Sequence, residues 1–398
     1  MNILFVNNIP FNPKLGGIER VTDLLAKALA KCYHHNVYYL ITEDYDVKND
    51  SYEYPAYIYK LPLVIEQEQK KFVAQLVKNL SIDVIINQRG QSAAMHKLIN
   101  GLGAKIISVL HSHPSAFIKY EMSRTLATDL TSLAGKCKHL IKILSYPLYC
   151  YIRKLRYTKF LSKQYLRILE DSSAVVLLSK KYNSEFERII NRGISISNYN
   201  IFGIPNPNTF EGINPYSNFK DNIILYVGRL SKVEKNPIRL LQIWKKIHAD
   251  YQSWRLVFVG EGDAMDDMKK FVKRKRLPRV SFEGSQAEVL SYYVRASFVC
   301  LTSNFEGWGM ALTEGMQCGC IPFSFNSYGA AGDIIDDGVN GCLIKPFDLN
   351  EYAARLKELM DNKELREKMS LAACEKVELF NVNNVALIWD SLIKSVVK

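Results

Sequence analysis

Two carboxylates, Glu306 and Glu314, bracket a glycine-containing segment that could bind a polyol. The segment follows an apolar run at residues 298–302 that predicts a buried strand, and Glu314 is expected in the first turn of the next helix. Carboxylates accept hydrogen bonds from vicinal hydroxyls, so one of them can hold a ribose and the other a hexose. The loop amides around Gly307 and Met310 would then lie near phosphates. In the alternative interpretation, Glu314 stabilises only a helix dipole and Glu306 is solvated.

Two cations follow another predicted strand, Ile223 to Val227. Arg229 and Lys235 stand in the sequence VGRLSKVEKNP, with Lys232 between them as a further candidate. Arginine binds phosphate in a bidentate manner and lysine acts as a point charge, so the pair can neutralise a leaving diphosphate without a metal ion. The alternative is a pair of solvated surface cations.

The first half of the chain offers a glycine pair and a histidine. Gly16 and Gly17 lie between the first strand and a helix, where the backbone can approach an anion closely. His111, in SVLHSHPS, ends a predicted strand and is expected to face a cleft, whereas a functional role is less favoured for His113.

The composition describes a folded protein with more than one domain. The chain has 398 residues, of which 48% are hydrophobic and 23% are charged, and this length suits two domains. Its eight cysteines are scattered and are expected to be reduced core residues of a cytosolic protein, without a metal site. The N-terminal MNILFVNN is interpreted as a first strand rather than a signal peptide, and no apolar run is long enough to span a membrane.

The net charge of +12 has a local source in residues 136–169, where nine Lys or Arg occur without any Asp or Glu. Aromatic and aliphatic residues are interleaved with these cations, as in a helix that lies on an anionic membrane. A solvated helical hairpin explains the same residues equally well. Nucleic acid is the least favoured partner, since no nucleic-acid motif accompanies the charge.

The hydrophobic pattern alternates between strands and helices in both halves of the chain, which predicts two doubly wound parallel sheets. A segment rich in Pro, Asn and Gly, Ile204 to Asn222, is predicted to be the linker. Ligands of such sheets bind at the carboxyl ends of the strands, so the candidate residues are expected to meet there.

The sequence also resembles a known family, the retaining GT-B glycosyltransferases of family four (group 1), which make bacterial polysaccharides and glycolipids. The segments that carry the resemblance are GGIERV, YVGRLSKVEKNP, VFVGEGD, EGWGMALTEGMQCG and DIIDDGVNGCLI. The resemblance implies the GT-B fold: an acceptor-binding Rossmann-like domain at 1–207, with 136–169 as a membrane-proximal insertion, and a nucleotide-sugar domain at 208–380. Residues 381–398 would form a helix that packs back on the first domain.

The resemblance also implies roles for individual residues. Arg229 and Lys235 resemble the diphosphate-binding pair and Glu314 the ribose ligand. Glu306 resembles the contact to the donor sugar, and His111 the histidine beside the reacting centre. Gly17, Gly307 and Met310 complete the donor site of a metal-independent reaction that needs no cofactor.

The implied substrates are a nucleotide-diphosphate sugar, with UDP favoured over GDP, and a glycan or lipid-linked acceptor of lipopolysaccharide or capsule synthesis. A hexose or N-acetylhexosamine would be transferred, in the cytoplasm or on the inner face of the cytoplasmic membrane. A nucleotide-sugar epimerase of the same fold and a non-catalytic nucleotide-sugar sensor are the alternatives.

Overall fold

The computed structural model describes residues 1–43, 52, 57–124, 146–190, 198–210 and 220–398. Among these residues the first domain contains a parallel sheet in the order β3-β2-β1-β4-β5-β6-β7. In chain order its elements are β1 (Asn2–Asn7), α1 (Gly17–Tyr33), β2 (Asn36–Ile41), β3 (Tyr57–Lys60), α2 (Glu66–Asn79), β4 (Val84–Asn87), α3 (Ala93–Ile99), β5 (Lys105–Leu110), α4 (Ala116–Arg124), α5 (Tyr146–Asp171), β6 (Ala174–Leu177), α6 (Asn183–Ile190) and β7 (Ile201–Gly203). The central strands β1 and β4 consist almost wholly of buried side chains, as expected for a sheet covered on both faces.

The second domain repeats the arrangement with a parallel sheet in the order β10-β9-β8-β11-β12-β13. Its elements are β8 (Asp221–Val227), α7 (Ile238–Ile247), β9 (Arg255–Val259), α8 (Met265–Lys275), β10 (Val280–Phe282), α9 (Leu290–Arg295), β11 (Ala296–Cys300), α10 (Met310–Gln317), β12 (Ile321–Phe325), α11 (Ala331–Ile334), β13 (Cys342–Ile344), α12 (Leu349–Asp361), α13 (Lys363–Val377) and α14 (Val382–Val397). The predicted fold, two doubly wound Rossmann-like domains, is therefore confirmed.

The last helix, α14, packs against α1 of the first domain. Trp389 and Ile393 are buried in the same hydrophobic cluster as Leu25 of α1. Nε2 of His35 lies 2.8 Å from Oδ1 of Asp390, so a buried polar contact accompanies this packing. The C-terminus thus ties the two domains together.

Several predicted boundaries differ from the structure. The linker was predicted from Ile204 to Asn222, but its last two residues belong to β8. Residues 211–219 of it lie outside the described part of the chain. The sequence pattern from Lys180 to Asn191 predicts a single helix, whereas the structure has a 3-10 turn at Lys180–Tyr182 followed by α6. The first ten residues of the basic stretch, 136–145, also lie outside the described ranges, while α5 contains the rest. No helix of the described residues is long and apolar enough to cross a bilayer.

Candidate active site

The cleft between the two domains holds a cavity of about 460 Å³ at the carboxyl edges of both sheets. His111 and Leu178 follow β5 and β6 of the first sheet, and Gly228 and Leu301 follow β8 and β11 of the second. Parallel sheets place their loops, and therefore their ligands, at this edge. The cavity is lined by all of the residues predicted from the sequence to form the site: Gly17, His111, Arg229, Lys235, Glu306, Gly307, Met310 and Glu314.

Two glycines bring the domains into contact across this cavity. A Cβ atom on Gly307 would lie 1.9 Å from the carbonyl oxygen of His111, a separation that no side chain could occupy. On the opposite side, a Cβ on Gly17 would lie 3.1 Å from Sδ of Met310. Glycine is therefore required at position 307 for the close approach of the two backbones.

Glu306 is buried, with only 4% of its surface exposed. The Ser303 hydroxyl donates to its Oε1 at 2.6 Å, and the Lys235 ammonium forms an ion pair with its Oε2. The hydroxyl of Tyr182, from the first domain, lies 2.8 Å from the carbonyl oxygen of Glu306 and fixes the loop. The alternative that Glu306 is a solvated surface carboxylate is wrong.

Glu314 is also buried and lies in the second turn of α10, because that helix begins at Met310. The prediction that it stands in the first turn was wrong, and its distance from the helix start removes the argument for a simple dipole partner. Oε1 accepts from Nη1 of Arg20 at 2.8 Å and from the Thr209 hydroxyl at 2.9 Å, and Oε2 accepts from the Tyr293 hydroxyl at 2.8 Å. These donors hold the carboxylate in one orientation at the cavity wall.

Arg20 is the site residue that the sequence interpretation missed. It lies in the first turn of α1, beside the Gly16–Gly17 pair, and its ion pair with Glu314 crosses from one domain to the other. The only signal in the sequence was its place in GGIERV, since its partner is 294 residues away.

The three candidate cations differ in their surroundings. Arg229 is mostly exposed and pairs with Glu234, whereas the Lys235 side chain is 21% exposed and reaches inward to Glu306. Lys232 instead pairs with Asp267 at 2.7 Å and does not line the cavity. The geometry therefore favours Arg229 and Lys235 as the pair beside a bound anion.

His111 is half-buried, and its Nε2 lies 2.5 Å from Oε1 of Gln88. Burial, together with the nearby positive charge of Arg89, lowers its pKa to about 4, so its imidazole is neutral at pH 7. His113 is more deeply buried, lies 3.1 Å from Oε2 of Glu185, and has a pKa lowered to about 3, chiefly by burial. His113 also lines the interdomain cavity, and its ring packs edge-on against Tyr182.

The cysteine pair at Cys318 and Cys320 is buried in the core of the second domain. The Cys320 thiol donates to the carbonyl oxygens of Tyr293 and Ala296, at 3.0 Å and 3.3 Å. Cys137 lies outside the described residues, and Cys32, expected in the core, is exposed. The C-x-C pair is thus a packing feature.

Comparison with known proteins agrees with this architecture. Residues 213–376 match the family model described as glycosyl transferases group 1. The amylovoran biosynthesis glycosyltransferase AmsD of Erwinia amylovora is 28% identical over 203 residues, which cover 49% of this chain and 56% of that protein. A diNAcBac-PP-undecaprenol-glycan alpha-1,4-N-acetyl-D-galactosaminyltransferase of Campylobacter jejuni is 26% identical over 178 residues, 44% of this chain and 49% of that protein. The chain thus spans about half the length of these two curated relatives.

Among solved structures, Anabaena Alr3699/HepE in complex with UDP and glucose superimposes with a TM-score of 0.72. The superposition covers 99% of this chain and 100% of that one, at 18% sequence identity, and is a likeness of fold. The chain has the GT-B fold of two Rossmann-like domains facing across a cleft. Its residues 213–376 are similar to the group 1 glycosyltransferases, in agreement with the resemblance of the motifs.

Proposed function

We propose that this protein transfers a hexose or an N-acetylhexosamine, with retention of anomeric configuration, from a nucleotide-diphosphate sugar to a glycan or lipid-linked acceptor. The observation that carries the proposal is the pair of buried carboxylates, Glu306 and Glu314, in one cavity with Lys235 and Arg229. Two fixed carboxylates beside two cations match a ligand with hydroxyls at both ends and a diphosphate in the middle.

The nucleotide end of the donor is assigned to Glu314. Its carboxylate is buried and held by Tyr293, Thr209 and Arg20, which leaves its orientation fixed before a ribose arrives. A ribose hydroxyl would donate to Oε1 or Oε2 alongside these groups. A carboxylate that is already fixed as a hydrogen-bond acceptor reduces the entropic cost of ordering the site when the donor binds.

The sugar end of the donor is assigned to Glu306, which would accept hydrogen bonds from the sugar hydroxyls. Its present partner is Lys235, which also lines the cavity, so the ammonium could contact both this carboxylate and a bound diphosphate. The start of α10 also lies at the cavity, at Met310, where the partial positive charge of a helix amino end favours an anion.

The charge that develops on the leaving diphosphate would be stabilised by Arg229, Lys235 and the amino end of α10. These groups are already in place, and preorganised electrostatic stabilisation of this kind is often the largest catalytic contribution. His111 stands on the other side of the cavity as a neutral imidazole, beside the position expected for the acceptor. Retention of configuration is supported by the resemblance of the motifs to the retaining enzymes.

UDP is the favoured nucleotide, because the Anabaena neighbour was solved with UDP and glucose. The relatives from Erwinia and Campylobacter act, by their names, in amylovoran biosynthesis and on an undecaprenol-linked glycan. These names support an acceptor in bacterial surface-polysaccharide biosynthesis, and with it a place in the cytoplasm at the inner face of the membrane.

The test is a panel of UDP- and GDP-sugars, each mixed with the purified protein and an undecaprenyl-diphosphate-linked N-acetylhexosamine. We expect one UDP-sugar to release UDP and to lengthen the acceptor by one sugar with an unchanged anomeric configuration, read by NMR of the product. An epimerised donor formed without acceptor would identify an epimerase, and tight donor binding without turnover would identify a sensor. Either result would overturn the proposal.

We also propose that α5 docks on an anionic membrane surface. Its exposed apolar side chains Leu148, Tyr151, Ile152 and Leu155 share one face of the helix. Exposed Lys154, Arg156 and Lys159 lie beside them. Apolar residues between cations form the interfacial type of amphipathic helix, in which anionic headgroups add to the apolar burial.

A further inference from the structure

A second cavity of about 580 Å³ lies in the first domain, away from the cleft. It is enclosed by the start of α2, by α3 and by the C-terminal half of α5, and it shares no lining residue with the interdomain cavity. No part of the proposed donor site uses it, so a ligand of this second cavity would be independent of the proposed glycosyl transfer.

The floor of this cavity carries an unpaired hydrogen-bond acceptor, Nδ1 of His96. The side chain is 4% exposed, and its Nε2 lies 2.9 Å from the carbonyl oxygen of Gly90. A carbonyl only accepts, so Nε2 carries the proton and Nδ1 carries the lone pair. Burial lowers the pKa of His96, which keeps the imidazole neutral. Among the described residues Nδ1 has no hydrogen-bond partner.

A second acceptor lies beside the first. Oδ2 of Asp171 is 3.9 Å from Nδ1 of His96, while Oδ1 of the same carboxylate accepts from the Asn100 amide at 2.6 Å. Two adjacent acceptors without a donor between them fit a ligand that supplies a hydroxyl group. A buried hydrogen-bond acceptor without a partner has lost its water and gained nothing in return, so a bound hydroxyl would relieve that cost.

The mouth of the cavity is positive. Lys163 and Arg167 lie one turn apart on α5 and both are exposed. Within the described ranges, no carboxylate comes within 4 Å of either cation. Lys97 adds a third charge, offset by Glu66 at 3.9 Å. An arginine one turn from a lysine suits a phosphate group.

We propose that this cavity binds a hydroxyl-bearing phosphate ester of the glycerol phosphate type, with its phosphate at Lys163 and Arg167 and its hydroxyl donating to His96 and Asp171. The same chemistry occurs in free glycerol phosphate and in the headgroup of phosphatidylglycerol. The exposed apolar face of α5 ends at Leu155, about two turns before Lys163, so a headgroup could reach the cavity from a membrane on which that helix lies.

The first experiment measures binding of glycerol 3-phosphate to the full chain by isothermal titration calorimetry, with inorganic phosphate and glycerol as reference ligands. We expect glycerol 3-phosphate to bind more tightly than either. The Lys163→Gln, Arg167→Gln double variant should weaken it about tenfold or more, as expected for losing two charge-assisted hydrogen bonds. In Asp171→Asn, glycerol 3-phosphate should bind no more tightly than inorganic phosphate. The matched control is Lys269→Gln, Lys270→Gln on α8 in the second domain, which removes the same charge and should leave binding unchanged.

The second experiment compares vesicles of phosphatidylglycerol and phosphatidylserine at equal charge density. A preference for phosphatidylglycerol that Asp171→Asn abolishes supports the membrane headgroup as the source. Binding of free glycerol 3-phosphate with the same dependence on the variants supports the soluble ester. Equal binding of both vesicles together with no binding of glycerol 3-phosphate would overturn the proposal, as would binding that the cavity variants leave unchanged. None of these residues lines the cleft, so donor turnover should stay at the wild-type rate in every variant.

Discussion

Arg20 and Glu314 form an ion pair across the interdomain cleft, with Nη1 of the arginine 2.8 Å from Oε1 of the glutamate. The arginine belongs to the first turn of α1 and the glutamate to α10, so the pair joins the glycine loop of one domain to the proposed ribose ligand of the other. Its effect is twofold: it orients Glu314 and it offsets a buried negative charge beside the position proposed for a diphosphate.

Removal of Arg20 is therefore expected to weaken donor binding more than turnover. In Arg20→Ala, Glu314 keeps Thr209 and Tyr293 but loses its only ion pair within the described ranges. An uncompensated buried carboxylate would repel the phosphates. We expect the donor KM to rise about tenfold, with a smaller change in kcat, and Arg20→Lys to restore part of the loss. Steady-state kinetics of the three proteins check this, and an unchanged KM in Arg20→Ala contradicts it.

The contact between Gly307 and the His111 carbonyl leads to a prediction about how closely the two domains can approach each other. In Gly307→Ala, the new methyl group would lie 1.9 Å from that oxygen, so the two domains must separate. Relief of an overlap of this kind costs about 1–3 kcal/mol, which corresponds to a fall in activity of about fivefold to about 150-fold. The matched control is Gly17→Ala, which meets only the flexible Met310 side chain at 3.1 Å and should lose less. Small-angle scattering should detect a more open Gly307→Ala protein. Equal activity of the two variants would contradict the prediction.

Much of this site could be predicted from sequence, because most of its residues stand in the segments that follow strands. Glu306, Arg229 and His111 each follow the carboxyl end of a strand, and parallel sheets bring such positions to one edge. Arg20 could not be found in this way, since a contact between residues at opposite ends of the chain depends on how the domains close. The same holds for His96, whose unpaired nitrogen follows from the packing of α3 against α5.

The fold was predictable for similar reasons, and the elements that the sequence did not reveal share a physical cause. The helical period predicts a helix from Ile18 to Cys32, and α1 extends it by one residue at each end. The apolar run Arg255–Val259 predicts a buried strand, and β9 has those bounds. The short elements β3, α3 and β7 were missed. They contain too few residues to show a period, and their structure depends on neighbours in the sheet or on the helix layer.

The lowered pKa of His111 predicts a pH dependence of stability. The unfolded chain takes up a proton near pH 6.5, whereas the folded protein does so only near pH 4. Between these values the unfolded state binds more protons, so this histidine lowers the free energy of unfolding as the pH falls from about 6.5 to about 4. As the pH is lowered through this interval, the midpoint temperature of thermal unfolding should therefore fall less steeply for His111→Gln than for the wild type. Parallel curves would show that His111 is not buried as a neutral group.

The exposed apolar face of α5 predicts binding to anionic vesicles. Flotation with phosphatidylglycerol vesicles at low salt should carry the wild-type protein upward, and zwitterionic vesicles should not. Tyr151→Ser combined with Leu155→Ser should abolish flotation, because it removes the apolar contact and leaves every charge in place. The control pair, Leu371→Ser with Leu379→Ser, changes exposed leucines of the second domain and should float normally. Flotation of the α5 variant like the wild type would assign the binding to another surface.

The most direct test of the proposed donor site is the rate of UDP release from the active UDP-sugar in the presence of acceptor, compared between wild type and Glu306→Ala. Glu261→Ala, which removes an exposed carboxylate of the same domain, serves as the control. We predict that Glu306→Ala lowers the rate about hundredfold or more, because a preorganised charged contact at the reacting sugar is lost. The circular dichroism spectra of Glu306→Ala and of the control should both match that of the wild type. Full activity in a folded Glu306→Ala protein would contradict the assignment of Glu306 to the donor sugar.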